Sequence, residues 1–407
     1  MIPARVVGAL AATQLIGWGV TFYAVGLFGE RMVADTGWSR ATVHGGMSLA
    51  LVVMGIVSPW VGRWIDRAGG RAIMTVGSLL SALGLVGLAL AHHLATWFAA
   101  WVVLGVSMRM TLYDAAFAAL VRIDPATARR ALSHVALAGG LASTVFWFVG
   151  ELLAERLGWR GATMVYAVFA LATAPLHLLV PKVATGPGHA AATSAAPLAP
   201  PLARDDRERR TAALLFAVMV VATATLASAL AAHVIGLLAA LGVAGSTAVW
   251  VATTRGIGQS AARLAEVASG GRLHPLDLTV LACALLPLTL AALPFAGVSV
   301  AAAFVFAVGG GMGNGLVTVA RGALPLVLFD PTVYGALTGR LGAPAFWASA
   351  LAPVSVAAVL DRWGATGAIV ALAVPAIAAA AAALALRLRF PPGRASPPAD
   401  GAPGTAL

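Results

Sequence analysis

Cysteine and charged residues are scarce in this chain of 407 residues. Cys283 is the one cysteine, so the chain can form neither an internal disulfide nor a Cys-x-x-Cys redox or metal site. Only 10% of the residues are charged and 60% are hydrophobic, whereas a soluble domain has about 25% charged residues. These proportions exclude an ordinary soluble domain and predict a membrane protein.

Acidic residues are the scarcer of the two charged classes. The chain has 15 Asp and Glu against 26 Lys and Arg, for a net charge of +11. In a soluble protein this excess would indicate nucleic-acid binding, but membrane proteins concentrate Lys and Arg on their cytoplasmic side for topological reasons. We therefore expect a lipid bilayer, and no nucleic acid, as the partner of this chain.

Long apolar runs dominate the rest of the chain. A helix needs about 20 apolar residues to cross the hydrocarbon core of a bilayer. Twelve such runs are present, at 6–28, 41–61, 72–91, 95–120, 132–153, 161–181, 212–235, 246–265, 276–296, 299–321, 341–360 and 365–386. The first is longer than the apolar core of a signal peptide, so we predict that it is a retained helix.

The basic residues predict the orientation of these spans. Eighteen Lys and Arg, including Arg263 at the end of the eighth span, fall on the side that holds both termini, five fall on the opposite side, and three (Arg109, Arg255 and Arg321) lie deeper within spans. Both termini are therefore predicted to be cytoplasmic. The predicted organisation is an N-terminal six-helix half (1–181), a cytoplasmic linker rich in Pro and Gly (182–211), a C-terminal six-helix half (212–387) and a disordered cytoplasmic tail (388–407).

The two halves repeat three short segments in the same order. GRWIDRAGGR (62–71) matches ARLAEVASGGR (262–272), VRIDP (121–125) matches VLFDP (327–331), and ERLGWRGA (155–162) matches DRWGATGA (361–368). Three matches at a nearly constant offset indicate a duplicated architecture. In transporters built this way the solute site lies near the middle of the membrane, between the halves.

The loop after the second span carries a family motif. GRWIDRAGGR resembles the major facilitator superfamily signature Gly-x-x-x-Asp-Arg/Lys-x-Gly-Arg-Arg/Lys, which lies at the same place in that superfamily. Gly62, Asp66, Arg67 and Gly69 match it, and Arg71 keeps a positive charge where the motif ends. The resemblance implies an all-α fold of twelve transmembrane helices, transport by alternating access, and a lock formed by these five residues that holds the outward-open state.

Longer segments resemble one branch of that superfamily. TGWSRATVHGGMSLALVVMGIVSPWVGRWIDRAGGR (36–71) and LGWRGA (157–162) are similar to the bacterial monocarboxylate-transporter-like branch, whose members move small organic anions. The resemblance implies a multi-pass protein of the bacterial inner membrane that moves a small polar or anionic solute with protons. LYDAAFAAL (112–120) resembles bacterial carriers of trivalent arsenic, so efflux of a toxic solute, an arsenic compound or a drug, is the alternative.

Two charges lie near the middle of the fourth span. Each of Arg109 and Asp114 costs about 2.5 to 3.5 kcal/mol to insert, so such residues face a cavity or pair. The side chains of Arg109 and Asp114 are about 140° apart around an ideal helix, so at least one of them is expected to face another helix. Tyr113, four residues after Arg109, is expected to lie on the same face as Arg109. We predict that Asp114, Arg109 and Tyr113 couple protons, and the alternative is a fixed salt bridge. Arg321 is predicted to snorkel to the interface.

Polar residues in three other spans form the predicted solute site. Arg255 lies near the middle of the eighth span, one turn before Gln259, and a guanidinium can bind a carboxylate with two hydrogen bonds. The alternative is that Arg255 snorkels or bonds backbone carbonyls. Polar groups in a span rarely face lipid. The predicted solute-binding residues are Arg255, Gln259, Gln14, Trp18, Thr21 and Asn314.

Catalytic and metal sites are not indicated. No histidine has a partner at metal-ligand spacing, so we expect neither a metal nor a cofactor. A membrane enzyme of the prenyl-transferase kind needs acidic clusters that hold magnesium and a diphosphate, whereas the cytoplasmic loops after the second, fourth and tenth spans offer the isolated Asp66, Asp124 and Asp330. We therefore predict a transporter and no enzyme, and the resemblance implies a monomer.

Overall fold

The computed structural model of the protein describes residues 1–182, 200–243 and 245–392, and these residues form helices and the turns between them. The N-terminal part contains α1 (Ala4–Gly17), α2 (Ala24–Thr36), α3 (Arg40–Ala68), α4 (Gly70–Ala89), α5 (Leu94–Thr111), α6 (Tyr113–Ile123), α7 (Pro125–Gly140) and α8 (Ala142–His177). A π-helical segment, Trp18–Phe22, joins α1 to α2.

The C-terminal part contains α9 (Asp206–Ala240), α10 (Gly245–Ala268), α11 (Pro275–Leu290), α12 (Val300–Leu328) and α13 (Tyr334–Arg389), with 3-10 turns at Leu293–Phe295 and Pro331–Val333. Most of the predicted linker (182–211) and of the predicted tail (388–407) lies outside the described residues. The described end of that linker already belongs to α9, because Asp205 caps the helix by accepting from the backbone N–H of Glu208 at 2.7 Å.

Nine helical stretches within the described ranges are long and apolar enough to cross a membrane. Two of them, Pro125–His177 and Pro331–Arg389, have 53 and 59 residues, between two and three times the length that a bilayer requires. Each is broken by a glycine, Gly158 with φ 67° and Gly364 with φ 63°. Only glycine adopts this backbone conformation without strain, and the two glycines hold equivalent positions in the repeats ERLGWRGA and DRWGATGA.

Alanine at either break is expected to destabilise the fold. Both glycines combine a positive φ with a ψ near 180°, a region that costs other residues about 1 to 3 kcal/mol. We expect Gly158→Ala and Gly364→Ala each to lower the free energy of unfolding by that amount, measured by thermal unfolding in detergent. The matched control is Gly236→Ala in α9, where a Cβ meets open space and φ is ordinary. An equal loss in the control would contradict the explanation.

The two parts of the chain contact each other chiefly through α3 with α13, and also through α7 with α10 and α12 and through α6 with α13. Within the N-terminal part, α4 packs on α5 and α8, and α1 packs on α7 and α8. Within the C-terminal part, α9 packs on α13, and α12 packs on α10 and α11. The residues that the sequence predicts to bind solute lie on α1, on the π-helical segment, on α10 and on α12.

Several helix ends meet at one end of the bundle, which we name the linker end; it contains Asp66, Asp124, Ala203, Glu266 and Asp330. The backbone N–H of Ala203 donates to the carbonyl of Leu328 at 3.3 Å, which ties the segment before α9 to the end of α12. Asp124 caps α7 by accepting from the N–H of Ala126 at 3.1 Å. The linker end is thus a packed layer that includes residues of both parts.

His274 caps α11 at the linker end. Its Nδ1 accepts a hydrogen bond from the backbone N–H of Leu276 at 3.3 Å, which requires that this nitrogen carry no proton. Burial lowers the pKa of His274, and the carboxylate of Asp277 only partly offsets this effect. The imidazole is therefore neutral near pH 7 and can serve as the cap.

Candidate functional site

Glycines of α12 bring its backbone against α10 and thereby position Arg255. A Cβ at Gly311 would lie 2.0 Å from the carbonyl oxygen of Arg255, and a Cβ at Gly315 would lie 2.4 Å from that of Gln259. No larger residue fits at these points. Because the two backbones touch here, Arg255 and Gln259 are held on a rigid pair of helices.

Arg255 lines a small cavity in the C-terminal part. Thr223 of α9, Thr289 of α11 and Asn314 of α12 contribute polar groups to the same cavity, and the rest of the lining is mainly apolar. Tyr23 of the N-terminal part lies within electrostatic range of the Arg255 guanidinium. All of the residues that line the cavity belong to the C-terminal part, and Tyr23 approaches it from the N-terminal part.

The guanidinium of Arg255 makes no hydrogen bond or ion pair with any described residue. Three other arginines of the spans differ: Arg109 bonds Ser58, Arg263 bonds Thr318, and Arg321 pairs with Asp114. A positive charge within a membrane span needs water or an anion when no protein group compensates it. Arg255 is thus available to bind a carboxylate or another oxyanion with two parallel hydrogen bonds.

Gln259 and Asn314 lie side by side, about one helical turn nearer the linker end than Arg255. The Nδ2 atom of Asn314 donates to the Oε1 atom of Gln259 at 2.9 Å. With its amide reversed, Gln259 would instead accept from Nη2 of Arg263 at 3.1 Å. The two amides predicted to bind solute are therefore in contact with each other and with Arg263, and only Asn314 also lines the cavity of Arg255.

Arg263 bridges the two parts of the chain, a role that the sequence did not indicate. It is only 3% exposed, and its Nη1 donates to the carbonyl of Ala136 in α7 at 3.2 Å. The sequence alone places Arg263 among the basic residues at the cytoplasmic end of the eighth span. The helix α10 continues to Ala268, so Arg263 lies more than a turn inside the helix.

The first-span residues predicted to bind solute are divided between α1, which holds Gln14, and the π-helical segment, which holds Trp18 and Thr21. Gln14 is fully buried and donates to the carbonyl of Thr111 at 2.7 Å. Thr21 is also buried and donates to the carbonyl of Gly17 at 2.6 Å. Trp18 is only half-buried, and its ring lies 5.0 Å from that of Tyr113. Of the three residues, Trp18 alone keeps surface that a solute could contact, because the wider turn changes the helical phase.

Arg109 and Tyr113 do not share a face, contrary to their spacing. The chain leaves helical geometry at Leu112, with ψ −172°, between α5 and α6. Arg109 is 1% exposed and donates from Nε to the hydroxyl of Ser58 at 2.7 Å. The hydroxyl of Tyr113 instead donates to the carbonyl of Ala136 at 3.0 Å. The expected alignment is wrong because it assumed an unbroken helix.

Asp114 pairs with Arg321 across the two parts of the chain. Nη2 of Arg321 lies 3.1 Å from both carboxylate oxygens of Asp114, and the pair lines a small cavity beside Phe117 and Tyr334. The expectation that Arg321 snorkels is wrong. Arg321 follows Asn314 by seven residues on α12, so it shares the inward face of that residue.

Asp66 caps the start of α13 at the linker end. Its two carboxylate oxygens accept from the backbone N–H groups of Gly335 at 2.8 Å and Ala336 at 2.6 Å. A Cβ at Gly62, one turn earlier on α3, would lie 2.0 Å from the carbonyl oxygen of Gly335. Two of the predicted lock residues thus contact the other part of the chain directly, through the N-terminus of a helix.

The other predicted lock residues lie beside this contact. Arg67 is exposed near the end of α3, Gly69 ends that helix with φ 78°, and Arg71 is half-buried in the first turn of α4. A second contact joins the two parts, because Arg129 of α7 pairs with Glu266 of α10 at 3.3 Å. Since Glu266 occupies the repeat position of Asp66, the linker end is joined at two equivalent places.

The described residues form a bundle of apolar helices in two parts that contact each other at the linker end. The family model of the Major Facilitator Superfamily matches residues 9–263. This chain belongs to that superfamily, which confirms the resemblance inferred from GRWIDRAGGR. Superfamily members carry small-molecule solutes across membranes.

Individual relatives match shorter parts of the chain. Monocarboxylate transporter 11 of the mouse is 31% identical over 174 residues, which are 42% of this chain and 35% of that protein. An uncharacterized 38 kDa protein in a 23S RNA operon of Thermoproteus tenax is 33% identical over 136 residues, 33% of this chain and 35% of that protein. The chain therefore matches about a third of the length of these curated relatives.

A solved structure shows the same fold over nearly the whole chain. The crystal structure of the human organic anion transporter MFSD10 (TETRAN) superposes with a TM-score of 0.71 at 15% sequence identity. The match covers 94% of this chain and 100% of that one. At this identity the comparison establishes the all-helical fold.

Proposed function

We propose that this protein is a secondary transporter that moves a small anionic solute, such as a monocarboxylate, together with protons. The observation that carries the proposal is the guanidinium of Arg255, which lines a cavity and has no partner among the described residues. A cavity that contains an uncompensated positive charge selects an anion. A monocarboxylate transporter among the relatives, and an organic anion transporter with the same fold, support this choice.

The proposed topology has twelve spans in two halves. Nine helical stretches of the described residues are long and apolar enough to span a membrane, and two of them are divided at Gly158 and Gly364, which gives eleven spans. The helix α10, with 24 residues, is the twelfth. An even number places both termini on the same side of the membrane. The excess of Lys and Arg on that side assigns it to the cytoplasm of a bacterial inner membrane, and we propose that the carrier works as a monomer.

In the proposed cycle the linker end is the cytoplasmic gate. Asp66 and Glu266 hold the halves together there, so the described conformation is open or occluded toward the outside. A solute anion binds Arg255, and a proton binds Asp114. Neutral Asp114 no longer compensates Arg321, which weakens the contact between α6 and α12 and favours opening of the linker end. Arg109, held by Ser58 nearby, supplies fixed positive charge.

The proposal predicts that Arg255 is essential for anion binding. In Arg255→Ala the carboxylate loses a charge-assisted pair in a site of low polarity, so we expect affinity to fall about thirtyfold or more. The measurement is displacement of labelled lactate and benzoate from purified protein. The native protein reconstituted in proteoliposomes should accumulate the bound acid when a pH gradient is imposed.

Two controls make this experiment specific. Arg255→Lys keeps the charge but loses the two-pronged geometry, so it should retain part of the affinity. Arg362→Ala removes an arginine close to the break at Gly364, outside the cavity, and should bind normally. If arsenite moved through the native protein while no carboxylate bound, or if Arg255→Ala bound carboxylates normally, the anion-carrier proposal would be overturned.

A further inference from the structure

The π-helical segment of the first span directs three aromatic side chains to one place. Trp18 and Phe22, at the two ends of the segment, have ring centroids 4.8 Å apart. Tyr23 follows at once, with its ring 6.3 Å from Trp18 and 5.6 Å from Phe22. π-helical turns inside α-helices are frequent at functional sites. This turn is irregular at the point where the rings converge.

A residue of the fourth span extends the cluster. The ring of Tyr113 lies 5.0 Å from Trp18, and Phe117 stacks on Tyr113 at 5.4 Å. Trp18, Phe22, Tyr23 and Tyr113 form what we name the aromatic wall. The indole N–H of Trp18 has no hydrogen-bond partner among the described residues, and the same is true of Trp97 and Trp101.

The aromatic wall differs from the packed aromatic residues of the core. Trp97 and Trp101, which form an edge-on pair in the core, are both 0% exposed. All four residues of the wall are only half-buried. A group of rings that retains surface inside a helical bundle can contact a ligand as well as the other rings.

Positive charge faces the aromatic wall from the C-terminal half. Tyr23 lies within electrostatic range of both Arg255 and Arg263. Arg263 and Tyr113 donate to the same carbonyl oxygen, that of Ala136, at 3.2 and 3.0 Å. The nearby carboxylate of Asp114 is already paired with Arg321. Two guanidinium groups disfavour a cation beside these rings, so the wall and Arg255 together suit an anion with a flat apolar body.

We infer that the solute is an aromatic monocarboxylate, with its carboxylate on Arg255 and its ring against the aromatic wall. This inference rests on the proposed function and narrows its substrate class. Edge-to-face and offset contacts between aromatic rings add affinity beyond that of buried apolar area alone. A saturated ring of similar size gains only the affinity that comes from buried apolar area. A preference for the aromatic ring is therefore the property that distinguishes this site.

The test compares three acids with the same charged group: benzoate, cyclohexanecarboxylate and acetate. Displacement of labelled benzoate from the full-length purified protein measures each affinity. We expect benzoate to bind about three- to tenfold more tightly than cyclohexanecarboxylate, and acetate to bind most weakly. Trp18→Leu should weaken benzoate binding more than cyclohexanecarboxylate binding and so remove the preference for benzoate, whereas Trp18→Phe should keep the preference.

Further variants and outcomes separate the two proposals. Trp250→Leu alters a tryptophan on α10 that is 70% exposed, and it should leave all three affinities unchanged. Equal binding of benzoate and cyclohexanecarboxylate, with both lost in Arg255→Ala, would overturn the aromatic substrate class and leave the anion carrier intact. An unchanged preference in Trp18→Leu would overturn it as well. Failure of the native protein to bind any of the three acids would overturn the proposed function itself.

Discussion

Replacing Gly62 with alanine is expected to open the linker end and to stop transport. The added Cβ would lie 2.0 Å from the carbonyl oxygen of Gly335 and 2.5 Å from its carbon. These atoms belong to the backbone of α13, which cannot move aside as a flexible side chain does. The start of α13 must therefore shift away from α3, and the two hydrogen bonds that Asp66 accepts from Gly335 and Ala336 are lost with it.

Cysteine labelling can measure this opening directly. Cys283, the one native cysteine, is fully buried, so a cysteine introduced at Thr338 reports on the cavity beside Asp114. We expect its alkylation from the linker side to rise at least about tenfold when Gly62→Ala is added, because a shift of several kcal/mol changes a two-state population by more than that factor. Transport should fall to background.

The matched control for this variant is Gly8→Ala. Gly8 lies in α1, and a Cβ there meets no atom within 4 Å, so labelling and transport should be unchanged. If Thr338→Cys were labelled equally with and without Gly62→Ala, the close contact between α3 and α13 would not be what holds the linker end closed.

The contact at Asp66 is of a kind that a transport cycle can reverse. A carboxylate at a helix N-terminus gains from two backbone donors and from the helix dipole, and each such contribution is about 1 kcal/mol. A buried apolar interface of the same extent would be harder to separate. In this motif Gly62 allows the backbones of α3 and α13 to come close together, and Asp66 adds hydrogen bonds of modest strength. Together they keep the linker end closed but still allow it to open.

Features that depend on neighbouring residues were predictable from the sequence. Apolar runs located the helices, since the length needed to cross a bilayer is fixed by its thickness. The repeats ERLGWRGA and DRWGATGA marked Gly158 and Gly364, where both long helical stretches break. The motif at 62–71 identified the family and placed Gly62 and Asp66 in a contact between helices. Each of these signals lies within a short segment of chain.

Features that depend on distant residues were not predictable. Asp114 and Arg321 are 207 positions apart in the chain, and no local pattern pairs them. The break at Leu112 and the π turn at Trp18–Phe22 changed which side chains share a face, because the spacing argument assumes 3.6 residues per turn throughout. Arg263 seemed to belong to a loop, since the end of a helix is the least certain part of a prediction.

Loss of the carboxylate at Asp114 is expected to abolish accumulation driven by a pH gradient. In Asp114→Asn the site can no longer take up a proton, so uphill uptake of the solute should fall at least about tenfold, whereas exchange of labelled for unlabelled solute at equal concentrations should continue. The two assays in the same proteoliposomes separate coupling from binding. Equal loss of both would indicate damage to the carrier as a whole.

A double variant decides between proton coupling and the alternative of a fixed salt bridge. Asp114→Asn alone leaves Arg321 uncompensated, which we expect to cost about 1 to 3 kcal/mol of stability, less than for a fully buried pair because both side chains keep some exposure. Adding Arg321→Gln removes that charge and should recover most of the stability. If Asp114 carries the proton, uptake by the stable double variant remains insensitive to the gradient. If the pair only joins the halves, the double variant, with neither charge present, regains gradient-driven uptake.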